Sequence, residues 1–237
     1  MSAQSSHGSD RFGTEDDRAE RILSAARELL LRWGYKRVTV DDIARHAHVG
    51  KGTVYLHWKT KEELFIALLR IDSAEHLAEV VNGLSHDPAA VRPHQLVRRI
   101  FLSRVQRPIT KAVYTSDSEL LGALAVTPGG VPVTNRLGLH TTVVDLVRVL
   151  RDHGLTVSHI PAGDQVFLID TILSGFVTGG LATRTAHNVS LDRQADLLAA
   201  TVRAALEPAE EPTDEAVTAA ASEVHDTLSR ARWQLLA

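Results

Sequence analysis

The sequence predicts an all-α protein: an N-terminal unit of three helices carrying a helix-turn-helix, then a larger helical body. Three observations predict it. Apolar residues recur at helical spacing along most of the 237 residues, and only Val157 and Ile160 hint at a strand. Residues 39–61 hold two short helical patterns joined by a three- to four-residue turn. Charge is unevenly placed. Residues 27–61 carry eight Lys and Arg against three acids, although the whole chain has a net charge of −3. A compact basic segment beside an acidic remainder suits a small nucleic-acid-binding unit carried by another domain.

The elements follow in order. Residues 1–10 are polar and have no apolar core segment, so no secretory signal is expected, and residues 1–14 read as a disordered arm. Ile22, Ala26, Leu29, Leu30 and Trp33 fall on one helical face, and Gly34 follows as a stop. Thr39 stands where an N-cap belongs, with Asp41 and Asp42 in the first turn. Ile43, Ala44 and Ala47 give that short helix its apolar side, and residues 48–50 interrupt it. A second short helix covers about 51–58. Thr60 and Glu63 then resemble a capping box before a helix carrying Leu64, Ala67, Leu68 and Ile71.

Further helical stretches are expected near 96–106, stopped by Pro108, and over 112–124, 133–153, 164–183, 191–206 and 214–236. A loop at 127–132 and an acidic, proline-punctuated linker at 207–212 separate some of them. The total is nine or ten helices.

Composition removes several function classes. Hydrophobic residues make up 44% and charged residues 23%, ordinary for a soluble globular chain. There is no cysteine, hence no disulfide scaffold, thiolate metal site or cysteine nucleophile, and a cytoplasmic location is expected. No stretch approaches the ~18 consecutive apolar residues of a membrane span. Twelve histidines lack ligand spacing: His46 and His48, two apart, point to different sides of a helix. No metal and no cofactor are expected. No nucleotide loop, Gly-x-Ser-x-Gly or His-Glu-x-x-His speaks for an enzyme.

The pair of short helices carries the chemistry. One helix of such a pair crosses the DNA backbone while the second enters the major groove, which is wide enough for one α-helix. The second helix begins Gly50-Lys51-Gly52-Thr53, small residues that allow close approach. Its free N–H groups favour phosphate. Tyr55 and His57 project from it, and Lys59 and Lys61 follow.

Residues 39–64, TVDDIARHAHVGKGTVYLHWKTKEEL, resemble the DNA-binding domain of the tetracycline-repressor (TetR) family. Thr39, Val40, Asp42, Ile43, Ala44, Ala47, Val49, Lys51, Gly52, Thr53, Tyr55, His57, Lys61, Glu62 and Leu64 match its pattern, and Trp58 replaces an aromatic Phe. Two positions depart: His48 stands for the family's turn glycine, and Gly50 for its helix-starting serine. Histidine tolerates positive φ better than most residues. Glycine is a weaker N-cap than serine. A phosphate contact from that serine hydroxyl is lost.

The resemblance implies a homodimer that binds a palindromic double-stranded operator and represses transcription until a small-molecule inducer enters the C-terminal domain. It divides the chain into a DNA-binding domain at 15–62 and a ligand-binding and dimerisation domain at 63–237. Thr39, Lys51, Thr53, Tyr55 and Lys61 become phosphate contacts, Thr39 being a helix cap, a contact or both. Lys51, Gly52, Thr53 and His57 lie nearest the bases, and Lys59 adds charge. Ile43, Val54 and Trp58 pack.

Helices 164–183 and 191–206 are the dimer candidates. Gly175 and Gly179 either allow close helix approach or, with Gly180, break a helix. Phe101, Leu120, Leu124, Leu146 and Phe167, with His140 and Asp170 as polar members, are candidates for the ligand pocket. The segment after Pro212 caps the dimer or covers the body.

Overall fold

The computed structural model describes residues 15–126, 129–187 and 189–237, with side chains of 180–187 left aside. The expected arm at 1–14, Thr127 and Pro128 of the expected loop, and Asn188 lie outside the described residues. Among those described there are twelve α-helices, two 3-10 turns and no strand, only an isolated bridge between Val126 and Pro132. The strand hint at Val157 and Ile160 is not realised. No described helix is long and apolar enough to cross a membrane. Two compact units are present, ending and beginning at Leu68 and Leu69.

The first unit contains α1 (Glu15–Arg37), α2 (Val40–His46), α3 (Lys51–His57) and the start of α4 (Lys61–His86). The apolar stripe of α1 buries Ile22, Ala25, Ala26, Leu29 and Leu30. Gly34, expected as a stop, takes φ 71° and kinks the helix, a conformation glycine adopts without steric penalty. Trp33 departs from expectation. Regular helix geometry ends one residue later, and its ring lies at the surface with the Arg32 guanidinium 5.8 Å from its centroid. The core is closed by Ile43 and Ala44 of α2, Val54 of α3, and Leu64, Phe65 and Leu68 of α4. The Tyr35 ring meets Phe65 edge-on at 5.2 Å.

In the second unit, proline opens helices as well as closing them. Pro93 starts α5 (Pro93–Gln106) and Pro108 starts α6 (Pro108–Thr115), both at the first helical position, where the missing N–H has no helical partner to lose. The helix expected over 112–124 is broken by left-handed Ser116 (φ 49°). Asp117 then caps the short α7 (Ser118–Leu121). Gly138, at φ 73°, likewise divides 133–153 into α8 (Val133–Arg136) and α9 (Leu139–Asp152). These two breaks account for most of the excess over nine or ten helices.

Then come α10 (Ala162–His187), α11 (Leu191–Leu206), capped by Ser190, and α12 (Asp214–Leu236), capped by Thr213. The core of the body joins α5, α9, α10 and α11 through Phe101, Val147, Leu173, Leu198 and Val202. The segment after Pro212 covers the body of its own chain. Val217, Ala220, Val224 and Leu228 of α12 are buried, and α12 packs on α9 and on the 3-10 turn Pro88–Val91. Its last turn is held where the Arg70 guanidinium donates to the Gln234 carbonyl at 2.8 Å.

Candidate nucleic-acid interface

The two short helices are fixed by local chemistry. Thr39 caps α2: its hydroxyl accepts the Asp42 N–H at 3.2 Å, and the Asp42 carboxylate accepts the Thr39 N–H at 3.2 Å. The Thr39 hydroxyl also donates to Asp42 at 2.6 Å, so its proton is already committed. These hydrogen bonds hold the Asp42 carboxyl below its ordinary pKa. At the other end the Val49 N–H reaches the Ala44 carbonyl (2.9 Å) and the His48 N–H reaches Arg45 (3.3 Å). That is the Schellman pattern of helix termination, and it requires a left-handed residue between. His48 supplies it at φ 55°, which the sequence anticipated.

Three residues later α3 begins at Lys51. Gly50 is its N-cap and makes no side-chain cap bond, as a glycine in place of serine dictates. Val54 is buried and fastens α3 to the core. Lys51, Gly52, Tyr55 and Leu56 consequently face outward, all exposed. Leu56, 75% exposed, was not singled out from the sequence. The signal was available: a seven-residue helix anchored by Val54 must turn its next two residues away. Thr53 and His57 are half-buried, and the His57 ring lies 5.3 Å from Trp58.

The lysines are not alike. Lys51 reaches back to Asp41 at 2.8 Å, which holds its pKa up. Lys59 is exposed, and its backbone N–H donates to the Glu63 carboxylate at 2.8 Å. That carboxylate therefore serves Lys59, while the Glu63 N–H meets the Thr60 hydroxyl at 3.0 Å. Lys61 turns inward. Its ammonium donates to the Tyr35 carbonyl at 2.6 Å, lies 4.1 Å from that ring's centroid, and has its pKa lowered by burial.

Residues 22–68, which span this whole arrangement, match the family model of bacterial regulatory proteins, tetR family. The first unit is thus similar to the DNA-binding domain of the tetR family. Over 111 residues it is 51% identical to the HTH-type transcriptional regulator YhgD of Bacillus subtilis, covering 46% of this chain and 58% of that protein. The chain thus spans little more than half the length of that relative. A longer, weaker similarity, 28% over 193 residues, links it to the HTH-type transcriptional repressor AcnR of Corynebacterium diphtheriae, with 78% of this chain and 92% of AcnR covered. The fold resembles the crystal structure of a TetR-family regulator from Rhodococcus sp. (TM-score 0.59, 19% identity, 80% of this chain and 98% of that one).

The residues expected at a ligand pocket do not converge. Leu146 and Asp170 line an apolar cavity between α5, α9 and α10. The His140 ring lies 3.9 Å from the Asp170 carboxylate. Phe101 and Leu124 are buried, with Phe101 in the central core. Leu120 is half-buried on α7, and Phe167 is exposed.

Sequence reasoning missed Arg104, which closes one part of the cavity wall. Its signal was a charge in register with Leu96 and Ile100, four residues apart on one face of α5. Arg104 is buried, and its guanidinium lies 3.4 Å from the Tyr114 ring centroid. Burial and this cation together press the pKa of buried His76 down to about 3. His76 Nδ1 meets the Ser103 hydroxyl at 2.9 Å. That hydroxyl donates to Glu79, so Nδ1 carries the imidazole proton. Among the described residues no group of three or more His, Asp or Glu is arranged to hold a metal.

Proposed function

We propose that this protein is a ligand-released transcriptional repressor, acting in the cytoplasm as a homodimer that reads a palindromic double-stranded operator. In this reading α3 of each subunit lies in a major groove, with Lys51, Thr53 and Tyr55 on phosphates and Gly52 and His57 nearest the bases. Leu56 adds an apolar contact suited to a thymine methyl. Lys59 flanks the groove. Lys61 joins only by leaving Tyr35, and Thr39 acts chiefly as the cap of α2.

The observation that carries the reading is Gly52. Glycine inside a helix costs about 1 kcal/mol relative to alanine. A Cβ built at Gly52 meets no atom of the protein within 4 Å, and its backbone needs no positive φ. Nothing within the chain requires a glycine there. Close approach by an external surface does, and the neighbouring outward residues are a lysine and a tyrosine. The repressor AcnR, similar over most of its length, supports the sense of regulation. The dimer is supported by α10 and α11, where Phe167 and Leu197 are exposed and the space above Gly175 and Gly179 is open. The cavity beside Arg104 supports ligand release.

The test is selection of bound sequences from random DNA, followed by footprinting on the winner. A protected palindrome matched by a dimer in light scattering is expected. Tyr55→Ala is expected to weaken binding to every sequence by roughly tenfold to a hundredfold with unchanged thermal stability. No enriched sequence, or equal affinity for the variant, overturns the proposal.

A further inference from the structure

We infer that the cavity beside Arg104 receives a compact organic monoanion, a carboxylate on a small apolar or aromatic body, anchored by the Arg104 guanidinium. This names the ligand class for the release step and rests on that reading of the body.

The argument begins with an incomplete pairing. Arg104 is 6% exposed, and its buried Nε has no hydrogen-bond partner. Among the described residues no carboxylate lies within ion-pair distance of it. Arg107, one turn further on, shows what a satisfied arginine looks like here: Glu75 and Glu79 both engage it. A buried guanidinium ordinarily fills its fork with carboxylate oxygens. The Tyr114 ring supports the charge of Arg104 but leaves its in-plane Nε donor open.

Asp170 is the one acid on the cavity wall and the obvious internal partner. It does not behave as one. Its carboxyl pKa is raised by burial, which outweighs the attraction of Arg104 and His140. A carboxylate locked onto an arginine would be shifted the other way.

The rest of the wall selects the ligand. Leu96, Ile100, Leu146, Leu150, Ile169 and Leu173 offer no polar atom for a sugar or a peptide. The cavity is about 40 Å³, room for about three waters, which limits the ligand to a small body. A dianion such as a phosphate monoester needs a second cation. His76, with its pKa near 3, stays neutral, and Arg107 is already occupied. A neutral apolar ligand would leave the Arg104 donor unmet.

Benzoate is the probe, with benzamide as its neutral counterpart, measured by calorimetry on the full chain. Benzoate is expected to bind and raise the melting temperature, and benzamide to bind at least tenfold more weakly. Arg104→Met is expected to abolish the benzoate response while keeping the helical circular-dichroism spectrum. If that variant does not fold, Leu146→Trp fills the cavity with Arg104 intact and is expected to block binding equally. Equal affinity for benzoate and benzamide, no benzoate binding to the wild-type protein, or benzoate binding unaltered in a folded variant overturns the inference. Operator affinity is measured separately. A chain that binds its operator yet ignores benzoate sinks this inference and leaves the DNA-reading proposal standing. A chain that binds benzoate through Arg104 without loss of operator affinity upholds the inference and sinks ligand release.

Discussion

The two units solve opposite problems with their polar groups. In the first, every residue proposed to meet DNA is exposed or half-buried, and the core from Ile22 to Leu68 is apolar. Every buried polar or charged residue among those described lies in the second unit, from Asp72 and His76 to Arg104, Gln165 and Gln194. The difference teaches where function can be separated from folding. A surface side chain on α3 can be removed at little cost to its own unit. A polar group inside the body takes part in packing and charge balance together, so stability and any response to ligand are coupled there.

The largest effect expected of that difference is a dependence of stability on pH that belongs to the body. Buried His76 has a folded pKa of about 3, against an ordinary value near 6.5. The unfolded chain therefore binds the extra proton first. Stability is complete above about pH 6.5 and is lost as pH falls toward 3. Between pH 7 and pH 5 this group alone accounts for about 2 kcal/mol. Glu79, with its pKa lowered chiefly by Arg107, adds loss only below its ordinary value near 4.5. Asp170, with its pKa raised, opposes that loss in the acid range. Urea unfolding at pH 7, 6 and 5 measures the slope, and His76→Gln, which keeps a donor toward Ser103, is expected to flatten it. A variant with the wild-type slope would show that the pH response lies elsewhere, the other histidines included.

The same contrast decides what the sequence made legible. Residues 39–64 could be read almost side chain by side chain because their constraints are local: a cap at Thr39, a left-handed residue at His48, an anchor at Val54. Helix α11 was read to the residue because its cap and stripe are also local. The pocket was not. Arg104, Tyr114, Asp170 and His140 come from α5, α6, α10 and α9, and only the packing of those helices brings them together. Lys61 shows the limit even within the motif. Its type and position promised a phosphate contact, but the Tyr35 carbonyl lies 26 residues upstream and no spacing rule announces it.

A smaller effect sharpens the separation in the first unit. Gly52→Ala fills space that the protein leaves open and replaces a poor helix former by the best one. The free protein is expected to gain up to about 1 kcal/mol, while operator affinity falls about tenfold because the added methyl stands where DNA approaches. Chemical denaturation and a binding titration on one preparation measure both. Opposite signs are the signature of a residue kept for an external surface. Unchanged affinity would place α3 further from the groove than proposed.

The smallest effect concerns the one non-glycine residue of the first unit held at positive φ. His48 closes the Schellman turn at φ 55°, a conformation that costs an L-residue roughly 1–2 kcal/mol. His48→Gly removes that strain, but glycine loses more backbone freedom on folding, a term of about 0.4–1 kcal/mol. The two oppose, so the net gain is expected to stay below about 1 kcal/mol. His48→Val keeps the strain and adds a β-branch at positive φ, so it is expected to fall below the wild type. Thermal melts of the three chains give the order Gly, His, Val. The order is informative where the absolute shifts are small: it follows from the sign of φ at position 48, and a valine as stable as histidine would mean that this turn is not left-handed in solution.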